Sequence, residues 1–246
     1  MTVVRPRRYL TPTNNSREPA ISLDFLIWAP VLLFSMVAHE YAHAEAAYRQ
    51  GDDTAYVLGR LTMNPLKHID PFMTVLLPIL LWVSSGHKWT FGAAKPVPVN
   101  PRKYRRYVRG DVIVSLAGIA TNLVLFCLFT GAFALIGVVG RNASSLTDAM
   151  GILQRMAVFG MSFNLILAFF NLIPIPPLDG SHVFYHLLPP AAGLKYRQLQ
   201  RFGFLPIIAI TYFLPGVVNV LLWPAAQLMH LGVAVVGGFR LPGVNL

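Results

Sequence analysis

Residues 34–48 read FSMVAHEYAHAEAAY, an apolar run that carries two histidines and a glutamate where lipid would normally exclude them. On a helix His39 and His43, four positions apart, stack on one face with their side chains about 6 Å from each other, a spacing that suits one metal ion. Glu40 lies about 100° further round, within reach of a water on such an ion but poorly placed to be a ligand. H-E-x-x-H works by division of labour: two neutral imidazoles hold Zn2+, and the adjacent carboxylate takes a proton from the water. The competing reading is a pair of histidines bonded to neighbouring helices. Three ionisable residues within five positions are costly in a membrane helix and usually mark function, which favours the metal.

The same helix is expected to begin or kink at Pro30 and to run to about Gln50, with Gly51 as its stop and Arg49 at the negative end of its dipole. Glu45 falls about 200° round from His43 and faces the interface or Arg49, so a third ligand has to come from another segment.

The rest of the chain supports a membrane setting. Of 246 residues, 55% are hydrophobic and 12% charged, with a mean hydropathy of +0.56, which excludes an ordinary soluble domain. Apolar runs at about 21–48, 111–139, 150–172 and 202–238 are long enough, or nearly so, for a crossing, which takes roughly 20 apolar residues. The run 72–83, interrupted by Pro78, fits a re-entrant or interfacial piece better. The expected fold is an all-α polytopic membrane protein, a bundle of about four to six transmembrane helices with a short re-entrant extended or β-like loop. Residues 1–20 form a polar basic N-terminal segment, 21–190 the catalytic core and 191–246 the C-terminal transmembrane helices.

The net charge of +10 gathers in the connections, most densely at Arg102, Lys103, Arg105, Arg106 and Arg109. It reads as loop charge of the kind that orients membrane proteins. Nucleic-acid binding would need a basic soluble domain, and no segment is long enough to supply one. Arg5, Arg7, Arg8 and Arg17 ask for the same side as Arg49, Arg60 and Lys67 one crossing later, so charge leaves absolute orientation open. No cleaved signal peptide is expected, since no apolar stretch directly follows the first arginines. Cys127, the single cysteine, can form no intramolecular disulfide and reads as a packing residue. His68, His87 and His230 lie at loops or segment ends and read as surface or interfacial residues.

A second constellation stands at 171–182, NLIPIPPLDGSH. Pro174, Pro176 and Pro177 break the preceding helix and leave extended backbone, tolerated at membrane depth only where it lines a cavity or is buried in protein. Asp179 at that break is placed to complete a two-His, one-carboxylate zinc site with a fourth position open to water. It can also cap the helix that follows. A rival set, Asp179 with His182 and His186, would dispense with the first helix but has no adjacent base. His182 is read as bonding a ligand carboxylate from behind.

Taken together, HEYAH at 39–43, SLAGIATN at 115–122 with its G-x-x-x-N spacing and NLIPIPPLDG at 171–180 resemble the site-2 protease family of intramembrane zinc metalloproteases. GRLTMNP at 59–65 and FGAAKPVPVNP at 91–101 resemble its compact bacterial branch without PDZ or CBS domains. The resemblance implies one zinc per chain held by His39, His43 and Asp179, with Glu40 as general base. It implies that Asn171 helps to hold substrate or the reacting carbonyl. Asn122 would act similarly, or else would bond a neighbouring helix that Gly118 admits closely. It implies a transmembrane protein substrate, a bacterial cell membrane and an active site nearer the cytosolic side. One departure is Ala93, where a bulky aromatic often stands; this touches a gating contact and not catalysis. The alternation KPVPVNP forces extended backbone, either a re-entrant loop presenting an edge to an unwinding substrate or a stiff connector.

Two other classes use the same residues: a polytopic metal-handling or transport protein, and an inactive scaffold that binds membrane segments without cutting. The first does not explain the carboxylate beside His39. The second does not explain a complete set of ligands and base. Oligomeric state is not legible in the sequence.

Overall fold

The computed structural model describes residues 23–84, 92 and 94–245. The basic segment 1–20, His87 and Ala93 lie outside the described residues. Helix α1, Leu23–Gln50, carries HEYAH and continues through Pro30. It ends as expected: Gly51 takes a φ of 107°, a left-handed conformation that favours glycine. A short α2, Thr54–Val57, follows. Next come a wide helical segment, Pro71–Leu76, capped by the Asp70 side chain, and α3, Leu77–Ser84. At six and eight residues these are shorter than a crossing needs.

Helices α4, Tyr107–Asn142, and α5, Thr147–Asn171, form an antiparallel pair with α1 packed against both. The proline-rich break after α5 leads into α6, Gly180–Leu187, and then α7, Pro190–Arg197. The last apolar run divides at Leu214 into α8, Leu205–Phe213, and α9, Pro215–Val236. Among the described residues, α4, α5 and the segment Gly216–Phe239 are long and apolar enough to cross a bilayer, and none forms a strand. The chain is an all-α polytopic membrane protein.

The largest apolar core joins Phe133 of α4 to Ala157 and Met161 of α5, to Val236 at the end of α9 and to Leu241 and Val244 beyond it. Buried Gln154 completes that joint, since its amide donates to the carbonyls of Phe133 and Phe239 and its oxygen accepts from the N–H of Leu241. A satisfied amide ties helices together where water is scarce. The C-terminal helix therefore shares a core with α4 and α5.

Two side chains depart from their expected settings. Cys127 is exposed on the outer face of α4 rather than packed, because the buried stripe of that helix runs through Gly118, Asn122, Leu125 and Phe133. His68 is fully buried rather than superficial: its Nε2 lies 2.8 Å from the carbonyl of Thr62, and its own carbonyl accepts from the N–H of Lys95. It joins the 59–68 loop to the 94–100 stretch.

Candidate metal centre

His39 and His43 lie on the buried side of α1, their Nε2 atoms 3.0 Å apart. Asp179, from the break between α5 and α6, brings its Oδ2 to 3.2 Å from each. Three donor atoms from two distant stretches of chain thus form a nearly equilateral triangle, close enough to share one metal ion. Oxygen and nitrogen ligands around tetrahedral zinc at about 2.0–2.1 Å stand roughly 3.3 Å from one another, so the triangle fits one face of such a site.

Hydrogen bonding behind the triangle sets its chemistry, beginning at a backbone carbonyl. Gly160 O can only accept, so the Asn164 group 2.8 Å from it is the amide nitrogen, which also donates to Ser35 Oγ. Asn164 Oδ1 is then left to accept from Asn122 Nδ2 at 2.9 Å. That turns Asn122 Oδ1 towards His39 Nδ1, at 2.5 Å. As a neutral imidazole, the form a metal requires, His39 donates through Nδ1 and its Nε2 offers a lone pair. His43 is fixed likewise, with Nδ1 2.7 Å from the carbonyl of Val114. Each Nε2 therefore points a lone pair at the Asp179 oxygen, which is itself buried without a hydrogen-bond partner. Three mutually facing acceptors repel one another unless a cation stands among them.

Gly118 makes room for this arrangement. A Cβ there would lie 2.5 Å from both His39 Cε1 and His43 Nε2, so α4 approaches the histidine pair as only glycine allows. Gly118 and Asn122, one turn apart, thus act together on the site's histidines. Asp179 starts α6, yet its carboxylate makes no capping bond, contrary to the capping role considered from sequence, and it is turned to the histidines instead.

Glu40 projects beside the triangle, and its Oε2 accepts from the N–H of Val97 at 2.8 Å. The 94–100 stretch that supplies this donor is non-helical and anchored at both ends. Lys95 N–H donates to His68 O, and Arg60 donates to the carbonyls of Lys95 and Pro96. At the other end buried Asp52 accepts from the N–H of Asn100, while Lys103 pairs with Asp53 at 2.6 Å. That bond holds the Asp53 carboxyl below its ordinary value and the Lys103 ammonium above its own. Glu45 accepts from Arg49 at 2.7 Å, away from the centre, as its helical position implied.

Two expected residues bond to partners the sequence did not name. His182 does not meet a ligand carboxylate: its Nδ1 lies 3.3 Å from Asp111 of α4, and His186 Nε2 reaches the other oxygen of the same carboxyl at 2.8 Å. The rival Asp179, His182 and His186 set does not assemble, because α6 turns both imidazoles towards α4. Asn171 spends its amide on Leu167 O, one turn back in α5. Asn164, Asp52 and Asp111 escaped sequence reading, and in the sequence Arg60 reads only as loop charge. A polar residue inside the apolar run of α5 was the available signal for Asn164.

Peptidase family M50 matches residues 131–212, the part of the chain that supplies Asp179. A protein of Bacillus subtilis (strain 168), "Putative zinc metalloprotease YwhC", is 37% identical over 206 residues, which cover 84% of this chain and 87% of that protein. This chain belongs to the site-2 protease family, peptidase family M50. Two further relatives are "Putative zinc metalloprotease Rip2" from Mycolicibacterium smegmatis, 30% identical over 72% of this chain and 63% of that protein, and its namesake from Mycobacterium tuberculosis, 31% identical over 76% and 66%. No solved structure matches.

Proposed function

We propose that this M50 protein is an intramembrane zinc metalloendopeptidase that hydrolyses a peptide bond within or next to a transmembrane segment of another membrane protein, either to release a regulator or to clear membrane peptides. The observation that carries the reading is Glu40 beside His39, its carboxylate steadied by the Val97 N–H at the edge of three converging donors.

His39, His43 and Asp179 would hold one zinc ion, which when bound acidifies a water and polarises a carbonyl. The remaining work falls to the protein. The Val97 bond fixes one Glu40 oxygen and leaves the other to take a proton from the attacking water and pass it to the leaving amide nitrogen, the two tasks of a general base that becomes a general acid. The Asn122–Asn164–Ser35 chain keeps His39 in the tautomer that offers Nε2. Alternate prolines at 96 and 98 leave the 94–100 stretch extended, suited to lie against a substrate whose helix has locally unwound. The active site nearer the cytosolic side and a bacterial cell membrane are carried over with the family.

The test is cleavage of a purified transmembrane peptide by the protein in liposomes. A zinc chelator stops cleavage and added zinc restores it if the reading is right. Chelator-resistant cleavage, or zinc flux without cleavage, contradicts it.

A further inference from the structure

Outside the triangle, Asp111 is a buried carboxylate, only 3% exposed and engaged by both imidazoles of α6. The proposed chemistry gives it no task. Its neighbours suggest one. Asp111, Val114, Gly118 and Asn122 follow one another at spacings of three and four along α4, a single helical face. Three of the four already bear on the site: the Val114 carbonyl holds His43, Gly118 admits both imidazoles and Asn122 holds His39.

Asp179 has no such direct support. It makes no capping bond, and α6, which it begins, is only eight residues long. An isolated helix of that length has little stability of its own, so its position depends on what it is tied to. One tie is steric: a Cβ on Gly180 would stand 2.2 Å from Leu172 O, so the start of α6 sits directly against the end of α5. α6 also meets α7, where Phe184 packs on Tyr196 and Arg197 lies over Tyr185, but its polar tie to α4 is Asp111, whose two oxygens engage His182 in the first turn of α6 and His186 in the second.

We infer that Asp111 is a positioning residue: by gripping His182 and His186 it sets the angle of α6 against α4 and so delivers the Asp179 carboxylate to the histidine pair. One face of α4 thereby aligns all three donors. This rests on the metal reading proposed above.

The test measures zinc affinity by chelator competition on the full-length protein in detergent, below the melting temperature of every variant, for wild type, Asp111→Ala, Asp179→Ala and the double variant. If Asp111 acts through Asp179, Asp111→Ala weakens zinc by about 10- to 100-fold, the usual cost of losing support behind a ligand. Added to Asp179→Ala, it then weakens zinc by less than about threefold, the non-additivity expected of residues acting through one another. With cobalt in place of zinc, the visible absorption of Asp111→Ala should move towards that of Asp179→Ala. A residue with only a structural role would lower the melting temperature of the metal-free protein and leave these two readouts unmoved. Should Asp111→Ala not fold, His182→Ala replaces it, with about tenfold weakening expected, the low end of what losing support behind a ligand costs. Zinc affinity within twofold of wild type, in a protein where Asp179→Ala has lost zinc, overturns the inference alone. Unchanged affinity in Asp179→Ala sinks the metal reading and this inference with it.

Discussion

Glu40 Oε2 accepts a 2.8 Å hydrogen bond from the backbone N–H of Val97, so the carboxylate next to the first histidine is oriented by a loop far along the chain. Replacing Glu40 by Gln keeps its shape and removes its basicity. Glu40→Gln is expected to cut proteolysis by about 10²- to 10⁴-fold, the usual worth of a general base, while zinc content stays at the wild-type level. Cleavage of a reconstituted transmembrane peptide and metal analysis of one preparation check both halves; a variant that cuts normally removes Glu40 from the mechanism.

Gly118→Ala puts a methyl group 2.5 Å from atoms of both histidines, and neither ring can yield without losing its Nδ1 bond. The expected outcome is at least a tenfold loss of zinc affinity with the helix content retained. Chelator competition and circular dichroism read the two quantities separately.

Asn164→Leu removes the group that orients Asn122 and leaves the Asn122 amide buried without a partner. A cost of about 1–3 kcal/mol is expected for the stranded polar group, seen as a lower melting temperature in detergent. Since His39 loses the lock on its tautomer, zinc affinity should fall as well. A variant with unchanged affinity would mean that the asparagine chain does not govern His39.

Arg60→Ala and Asp52→Ala each release one end of the 94–100 stretch. Both should lower proteolytic turnover without loss of zinc, because neither residue touches the metal triangle. Bound zinc falling in step with turnover would show that the stretch supports the metal and not the base.

Much of this was legible in the sequence because it depends on local spacing. The i, i+4 histidines, the end of α1 at Gly51 and the break that frees Asp179 all follow from helix periodicity and from the backbone limits of glycine and proline. What escaped depends on partners distant in sequence. Asn122 stood beside an unspecified neighbour until α5 brought Asn164 to it. His182 and Asp111 lie on different helices, and the direction in which α6 turns its imidazoles is decided by packing against α4. His68 looked superficial because its surrounding loop is polar, yet two loops close over it.

Metal analysis of the purified protein beside His39→Ala and Asp179→Ala tests the central claim most directly. The account predicts one zinc per wild-type chain and its loss from both variants, since the two stretches share one ion. Zinc retained at the wild-type level in Asp179→Ala would contradict it, because the carboxylate would then stand beside the histidines without holding the metal.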